Sequence, residues 1–392
     1  MTNRNLLLLS NGYGEDSFAA ILLEKFIQLS KIRQLPCHFF IFPLVGEGAQ
    51  FLKFLSQFPD QISLVSPLRS LPNGGVYLGS AFQKGIRLFD DCVRGIIPNG
   101  GYLLRQLGKI KERIDAVVGI GDFIPPLMNS LFLRKKMYMV ACAHTSLLKR
   151  NDHRFERLGR LTSSLFRRDC YRVYTRDRLT EDWFHQLKIP ATYLGFLGPD
   201  MCKSDGSRRK IVILPGSRND WKENLQFCIQ ALEEMRLNLL SEYKLHIVFS
   251  PGRSYQEICS FVSPGLETQP FRLSWSRGDY FQHLFQSILV VGFAGTALEQ
   301  AAFLGIPSIE PWRLDALQAN RDFIENRQKL LLREALIPGG NSPSQLAQIF
   351  EDTLLNLPVC QQSAEEFSQR VWEGRSDGGK AIAEDIFDTL NW

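Results

Sequence analysis

The sequence predicts an α/β protein built from two doubly wound, Rossmann-like domains, and three observations carry the prediction. The chain opens on a buried strand, residues 5–9, that runs directly into a glycine turn and a helix. A second opening of the same kind starts at residue 210, where an apolar strand meets Pro215-Gly216-Ser217-Arg218. Residues 288–310 read as strand, glycine turn, helix and strand in one short stretch. A first strand feeding a glycine turn and a helix is how a doubly wound domain begins. At 392 residues the chain is also too long for one ordinary core, which agrees with two domains.

In chain order, the first helix carries apolar residues at Phe18, Ile21, Leu22, Phe26 and Leu29. The turn before it reads Ser10-Asn11-Gly12-Tyr13-Gly14-Glu15-Asp16. It lacks the third glycine of the dinucleotide fingerprint, and its two carboxylates would repel a phosphate. It suits a hydroxyl-bearing acceptor instead, with Asn11, Gly12, Gly14 and Glu15 as contacts and Asp16 as a catalytic carboxylate. The alternative is that Glu15 and Asp16 cap the helix.

Strands follow at 37–42 and 62–66. Residues 74–101 mix aromatic, aliphatic and basic side chains with glycines, as a membrane-surface segment or a lipid-tail site would, and as buried core helices also would. A strand at 115–120 hands over to Gly121-Asp122-Phe123. Asp122 is a candidate general base on a sugar hydroxyl, with capping as its alternative role. A strand at 136–143 ends at His144, which is set to assist catalysis, to grip phosphate or to be structural. Residues 149–178 hold nine arginines. They form a solvated basic face or a contact with an anionic membrane surface, where each adds on the order of 1 kcal/mol. A strand at 171–175, a helix at 178–187 and a strand at 191–194 complete this half, and the polar stretch 202–209 is the predicted linker.

In the second half, Gly216 admits a close backbone approach while Ser217 and Arg218 supply donors. An Arg fork on a phosphate is worth about 1.5–3 kcal/mol. A helix is predicted over 224–240, and the strand 245–249 with Ser250-Pro251-Gly252-Arg253 repeats the device. A short strand at 271–273 precedes residues 280–285. In the 288–310 stretch, Thr296 stands as the N-cap three residues before Glu299, the spacing of a capping box, with a helix over 297–304 and a strand over 306–309. Such a helix start points backbone N–H groups outward and carries roughly half a positive charge, which suits a phosphate. Gly295, Thr296 and Ala297 therefore hold a nucleotide diphosphate, or the glycines serve only to pack a βαβ corner. Gly378-Gly379 precedes a final helix, 380–390, with Ile382, Ile386, Phe387 and Leu390 on one face.

Composition excludes several classes. Hydrophobic residues at 44% and charged residues at 22% fit a soluble globular protein. No apolar run approaches the roughly 20 residues that cross a bilayer. The apolar run 6–9 is too short for a signal segment, so the cytoplasm is expected, with a peripheral position on the cytoplasmic membrane face added by the basic stretch. Eight scattered cysteines contain no C-x-x-C pair, which suggests neither a zinc site nor a disulfide framework. A net charge of +5 allows anionic partners without demanding nucleic acid.

The order of motifs resembles lipid-A-disaccharide synthase and its relatives, glycosyltransferases of the GT-B fold. The residues that carry the resemblance are 10–16, 119–123, 193–200, 214–218 and 295–307, with Leu-Pro-Gly-Ser-Arg and Gly-Thr-Ala-Leu-Glu the most specific. The resemblance implies two Rossmann-like domains facing a central cleft, residues 1–200 for an acceptor and 208–375 for a nucleotide sugar, with the helix at 376–392 returning to the first. It implies a UDP-sugar donor substrate, a lipid or lipid-linked acceptor, no metal or other cofactor, and an aspartate base falling on Asp122. Ile124-Pro125-Pro126 follows where the synthase has Asn, which marks a divergent branch. The mechanism implied is a single displacement, with the diphosphate facing Gly216, Ser217, Arg218, Gly252, Arg253 and residues 295–297, and Glu299 on the ribose. Two rivals share the architecture: a UDP-sugar 2-epimerase, and a non-catalytic nucleotide-sugar or lipid-binding protein.

Overall fold

A computed structural model describes residues 4–44, 48–65, 105–148, 159–198, 210–218, 220–266, 273–278, 280–293, 295–314 and 327–391. The predicted segment 74–101, the first part of the Arg-rich stretch and the linker 202–209 lie outside the described residues. The chain divides into two compact units, Met1–Asp200 with Arg375–Trp392, and Met201–Gly374.

Among the described residues, the first unit carries a seven-stranded parallel sheet in the order β3-β2-β1-β4-β5-β6-β7. Its strands are β1 Arg4–Ser10, β2 Cys37–Pro43, β3 Ile62–Leu64, β4 Ala116–Ile120, β5 Lys136–Val140, β6 Arg172–Tyr174 and β7 Ala191–Thr192. Leu6, Leu7, Leu8 and Leu9 are all essentially inaccessible. They are continuous rather than alternating because a parallel sheet is covered on both faces. Leu6 and Leu8 pack in one cluster with Phe18, Leu22 and Phe26 of α1 (Tyr13–Ile32), while Leu7 and Leu9 join Phe166 and Phe184 on the other face.

The strand predicted over 136–143 stops at Val140. Ala141 N–H still reaches Tyr174 O at 2.9 Å, but the chain then turns, with His144 N–H on Ala141 O at 3.3 Å. A short helix, α2 (Ile124–Met128), follows β4.

The second unit carries, among the described residues, a six-stranded parallel sheet in the order β10-β9-β8-β11-β12-β13. The strands are β8 Lys210–Leu214, β9 Lys244–Phe249, β10 Leu273–Arg277, β11 Ser287–Gly292, β12 Ser308–Glu310 and β13 Leu336–Pro338. Its helices include α3 (Trp221–Glu234), α4 (Gly295–Phe303), α5 (Pro343–Leu355) and α6 (Leu357–Trp372). Ile211, Ile213, Ile247 and Ile309 bury one face against α3 and α5.

The predicted helix 224–240 is corrected at both ends. It starts at Trp221, whose buried ring meets Phe249 and Phe261 edge-on. It breaks at Met235 because Glu351 takes the Arg236 N–H at 2.6 Å and its Nε at 2.9 Å. Residues 271 and 272 of the strand predicted over 271–273 lie outside the described residues, and Leu273 opens a strand that runs on to Arg277, with Trp275 packed on Phe249 and Tyr255.

The chain ends in α7 (Gly378–Thr389), which takes both glycines into its first turn rather than starting after them. A Cβ on Gly378 would lie 2.3 Å from Gly195 O, so only glycine allows this approach. Phe387 stacks on Phe26 at 5.5 Å, Tyr174 OH donates to Asp385 at 2.6 Å, and Arg172 pairs with the same carboxylate. This helix belongs to the first unit.

Candidate functional sites of the two units

Each sheet reverses its strand order between its first and fourth strands, β1/β4 in the first unit and β8/β11 in the second. Ligands of open α/β sheets collect at such switch points, beyond the carboxyl ends of the strands. The residues singled out from sequence cluster at these two places.

In the first unit, β1 ends at Ser10 beside the end of β4. Asn11 Nδ2 donates to Asp122 Oδ1 at 2.5 Å, and Ile124 N–H donates to the same oxygen at 2.8 Å. Asp122 thus does help to start α2, and it is also held by Asn11. Burial raises its pKa above the ordinary carboxylate value, against the lowering effect of these two donors. Gly121 has φ of 136°, and a Cβ there would stand 1.6 Å from Asn11 Oδ1, so the contact requires glycine.

Ser10 donates its hydroxyl to Asp16 Oδ1 at 2.5 Å. Asp16 is 3% exposed, and burial pushes its pKa up to about 8, with Glu15 adding to the rise. Gly12 is the N-cap of α1, Glu15 and Asp16 both lie in its first turn, and the Asp16 carboxyl is engaged by Ser10. Glu15 lies over Gly12, where a Cβ would stand 2.0 Å from its Oε2, and Gly14 is half-buried in the first turn.

Burial holds the Cys142 thiol well above its usual range, and Glu15, Arg176 and Asp122 all act on it electrostatically. These charges therefore border one cluster at the ends of β1, β4 and β5. His144, on the turn after β5, is half-buried, with its ring edge-on to Phe166 at 5.8 Å.

In the second unit the turns after β8 and β11 touch. A Cβ on Gly216, at φ 95°, would lie 2.9 Å from Phe293 O, and Phe293 N–H donates to Leu214 O at 2.9 Å. Asn224 Nδ2 fixes the Pro215 carbonyl at 2.9 Å, and its Oδ1 accepts from Arg313 Nη1 at 2.8 Å. Ser217 is exposed and Arg218 half-buried. Arg253, beyond the exposed Gly252, donates from Nη2 to Ser217 O at 2.9 Å, and Arg277 Nη1 reaches Arg253 O at 3.1 Å. Arg253 and Arg277 thus form a chain of guanidinium groups that leads from the end of β10 to the Ser217 turn.

The predicted capping box is corrected. Helix α4 begins at Gly295, so Thr296 lies inside the first turn and does not stand at the cap position. Gly295, Thr296 and Ala297 remain half-buried at the helix start, and Glu299 is buried at 6% exposure. Sequence reasoning missed Asn224 and Arg277, and it placed Ser10 in the first turn without giving it a role. Asn224 carries no local signal, and Arg277 ends a strand whose Ser-Trp-Ser pattern lacks a continuous apolar run. Among the described residues, no group of three or more His, Cys, Asp or Glu is placed to hold a metal ion. No helix of the described residues is long and apolar enough to cross a membrane.

No protein-family model and no curated protein matches the chain in sequence. Solved structures do match in fold. MurG of Acinetobacter baumannii is 16% identical, with 98% of this chain and 99% of that one covered at a TM-score of 0.55. The UDP-GlcNAc 2-epimerase of Neisseria meningitidis, solved with UDP-GlcNAc bound, is 14% identical over 99% of both chains, at 0.53. A UDP-glucosyltransferase from Polygonum tinctorium is 12% identical over 100% of both, also at 0.53. At these identities the likeness is one of architecture, and the chain has the two-domain GT-B fold with two Rossmann-like parallel sheets.

Proposed function

We propose that the protein is a glycosyltransferase that moves an N-acetylhexosamine or hexose from a UDP-sugar to a lipid or lipid-linked acceptor by direct displacement. The observation that carries this reading is the interlock of the Gly216 turn with Phe293, two residues before α4, which brings the turn bearing exposed Ser217 and half-buried Arg218, with Arg253 donating to Ser217 O, to that helix start. Donors arranged in advance suit a leaving diphosphate, because its charge grows in the transition state. Glu299 is assigned to the ribose hydroxyls. Asp122 takes the acceptor proton: its raised pKa makes it a stronger base than an ordinary carboxylate, and Asn11 fixes its orientation. Asp16, held by the Ser10 hydroxyl, is assigned to catalysis with it, and Asn11, Gly12, Gly14, Glu15 and His144 are assigned to the acceptor.

A lipid-linked acceptor on a membrane surface is supported by exposed Leu131, Phe132 and Leu161. They share a surface with exposed Arg134, Arg160 and Arg167, tied together by Arg168 Nη2 on Ser130 Oγ at 3.0 Å.

The test combines UDP calorimetry with transfer to a membrane lipid extract. Arg218→Ala should weaken UDP about ten-fold or more. Asp122→Asn should bind UDP normally and transfer nothing. A fully active Asp122→Asn chain would remove Asp122 from the mechanism, and an Arg218→Ala chain of unchanged affinity would remove the donor assignment.

One observation favours a second reading, a UDP-sugar 2-epimerase. Glu15, Asp16 and Asp122 supply a set of carboxylates at one strand end, as acid–base chemistry on a sugar needs. Incubation with UDP-GlcNAc and no acceptor separates the two, since only an epimerase converts the donor alone.

A further inference from the structure

Gln300 Nε2, Ser308 Oγ, Glu310 Oε2, Trp312 Nε1 and Gln328 Nε2 are buried, and the approach of the Gln328 amide to the Glu310 carboxyl is the one pairing among them, which leaves the second N–H of that amide without a partner among the described residues. They belong to one corner of the second unit. Gln300 lies on α4, where its Oε1 accepts from Tyr280 OH. Ser308 and Glu310 share one face of β12, and Trp312 follows just beyond. Gln328 immediately precedes the helix Lys329–Leu332. Buried polar groups are normally paired, and leaving one unpaired is costly. A corner lined with such atoms fits a ligand that brings the missing partners.

Gln328 is the residue that meets the start of α4. A Cβ on Gly295 would stand 3.5 Å from Gln328 Nε2, so the carboxamide lies beside the first residue of that helix. Gln328 is 2% exposed. Its neighbour is the Glu310 carboxyl. Burial raises the pKa of Glu310 to about 8, and the nearby Gln328 amide only partly offsets this. The carboxyl is therefore uncharged at neutral pH and does not repel an anion held at α4.

We propose that Gln328 is a further binding residue for the diphosphate of a nucleotide sugar, with its Nε2–H donating to a phosphate oxygen at the N-terminus of α4 and Glu310 positioning the carboxamide. The inference rests on reading that helix start as the diphosphate site. It adds a side-chain donor to the backbone amides, one that discriminates a diphosphate from a bare nucleoside.

The test is calorimetry on the intact chain with UDP, inorganic pyrophosphate and uridine. Gln328→Met, close in volume but without a donor, should weaken UDP and pyrophosphate about ten-fold and leave uridine unchanged. Glu310→Gln keeps a neutral hydrogen-bonding group and should retain UDP affinity, whereas Glu310→Met should lose it as Gln328→Met does. Equal loss of UDP and uridine would report damage to the unit and overturn the assignment. A Gln328→Met chain that binds UDP as the unsubstituted chain does would overturn it as well. If the unsubstituted chain itself bound UDP no more tightly than uridine, the diphosphate reading would fall and the inference with it, so that arm tells the two failures apart.

Discussion

At Asp16, the Ser10 hydroxyl and near-complete burial act in opposite directions, and burial wins, setting the pKa at about 8 against an ordinary 3.8. Between those values the folded chain keeps a proton that the unfolded chain has released. Stability therefore falls as pH rises through this window, with a slope approaching about 1.4 kcal/mol per pH unit. Asp16→Asn keeps the shape and cannot ionise. In urea unfolding at pH 5, 6.5 and 8 it should gain on the unsubstituted chain as pH rises, and parallel curves would show that Asp16 ionises as freely folded as unfolded. The sequence already placed Asp16, Asn11 and Asp122 at strand ends, because apolar runs and glycines mark those ends. It did not show that Asn11 meets Asp122 across 111 positions, or that Ser10 rather than the α1 backbone engages Asp16. Those are tertiary contacts, and they require the two strands to be paired first.

Elements were legible where their apolar pattern is continuous and lost where it is not. Strand β8 matches its predicted bounds because Lys-Ile-Val-Ile-Leu is a β-branched run between a polar stretch and Pro215. Strand β10 runs past its predicted end at residue 273 because it is an edge strand whose serines serve a hydrogen-bond ladder instead of the core. His246 Nδ1 and Nε2 pair with Ser274 and Ser276 at 2.7 and 2.9 Å, and His283 Nε2 pairs with Ser276 at 3.0 Å. Lys210 Nζ lies 3.0 Å from His283 Nδ1 and can only donate, which makes that nitrogen the acceptor and His283 neutral. His283 Nε2–H then donates to Ser276, whose own hydroxyl donates on to His246. A proton on His246 would remove that acceptor. Burial first, and the Lys210 charge with it, lower the His246 pKa from 6.5 to about 4. The folded chain thus holds His246 neutral where the unfolded chain protonates it, so this stabilisation is complete above pH 6.5 and fades as pH falls toward 4. His246→Gln should be less stable than the unsubstituted chain at pH 7, with the gap narrowing by on the order of 1–2 kcal/mol at pH 5. A gap that stays constant across that range would refute the neutral ladder.

At the scale of the whole molecule, the two-domain plan was readable because the same strand–glycine turn–helix opening occurs at residue 5 and again at residue 210. The likeness of the whole chain to solved structures at 12–16% identity shows that architecture survives where the sequence carries no family match. The linker between the openings would make the C-terminus part of the second unit if the chain ran in sequence order. The glycines at 378 and 379 reverse that, because they allow α7 to approach Gly195 and α1 more closely than any other residue would. The first unit is therefore completed by the last residues of the chain. Phe387 is fully buried there, and truncating a phenylalanine in such a site costs about 3–5 kcal/mol. That is a large share of the roughly 5–15 kcal/mol that holds a domain folded. Phe387→Ala should lower the unfolding transition of the first unit and leave that of the second in place, with limited proteolysis cutting within residues 1–200 first. If the second unit lost protection together with the first, the two would unfold as one cooperative body, and the final helix would be stabilising more than the sheet it packs on.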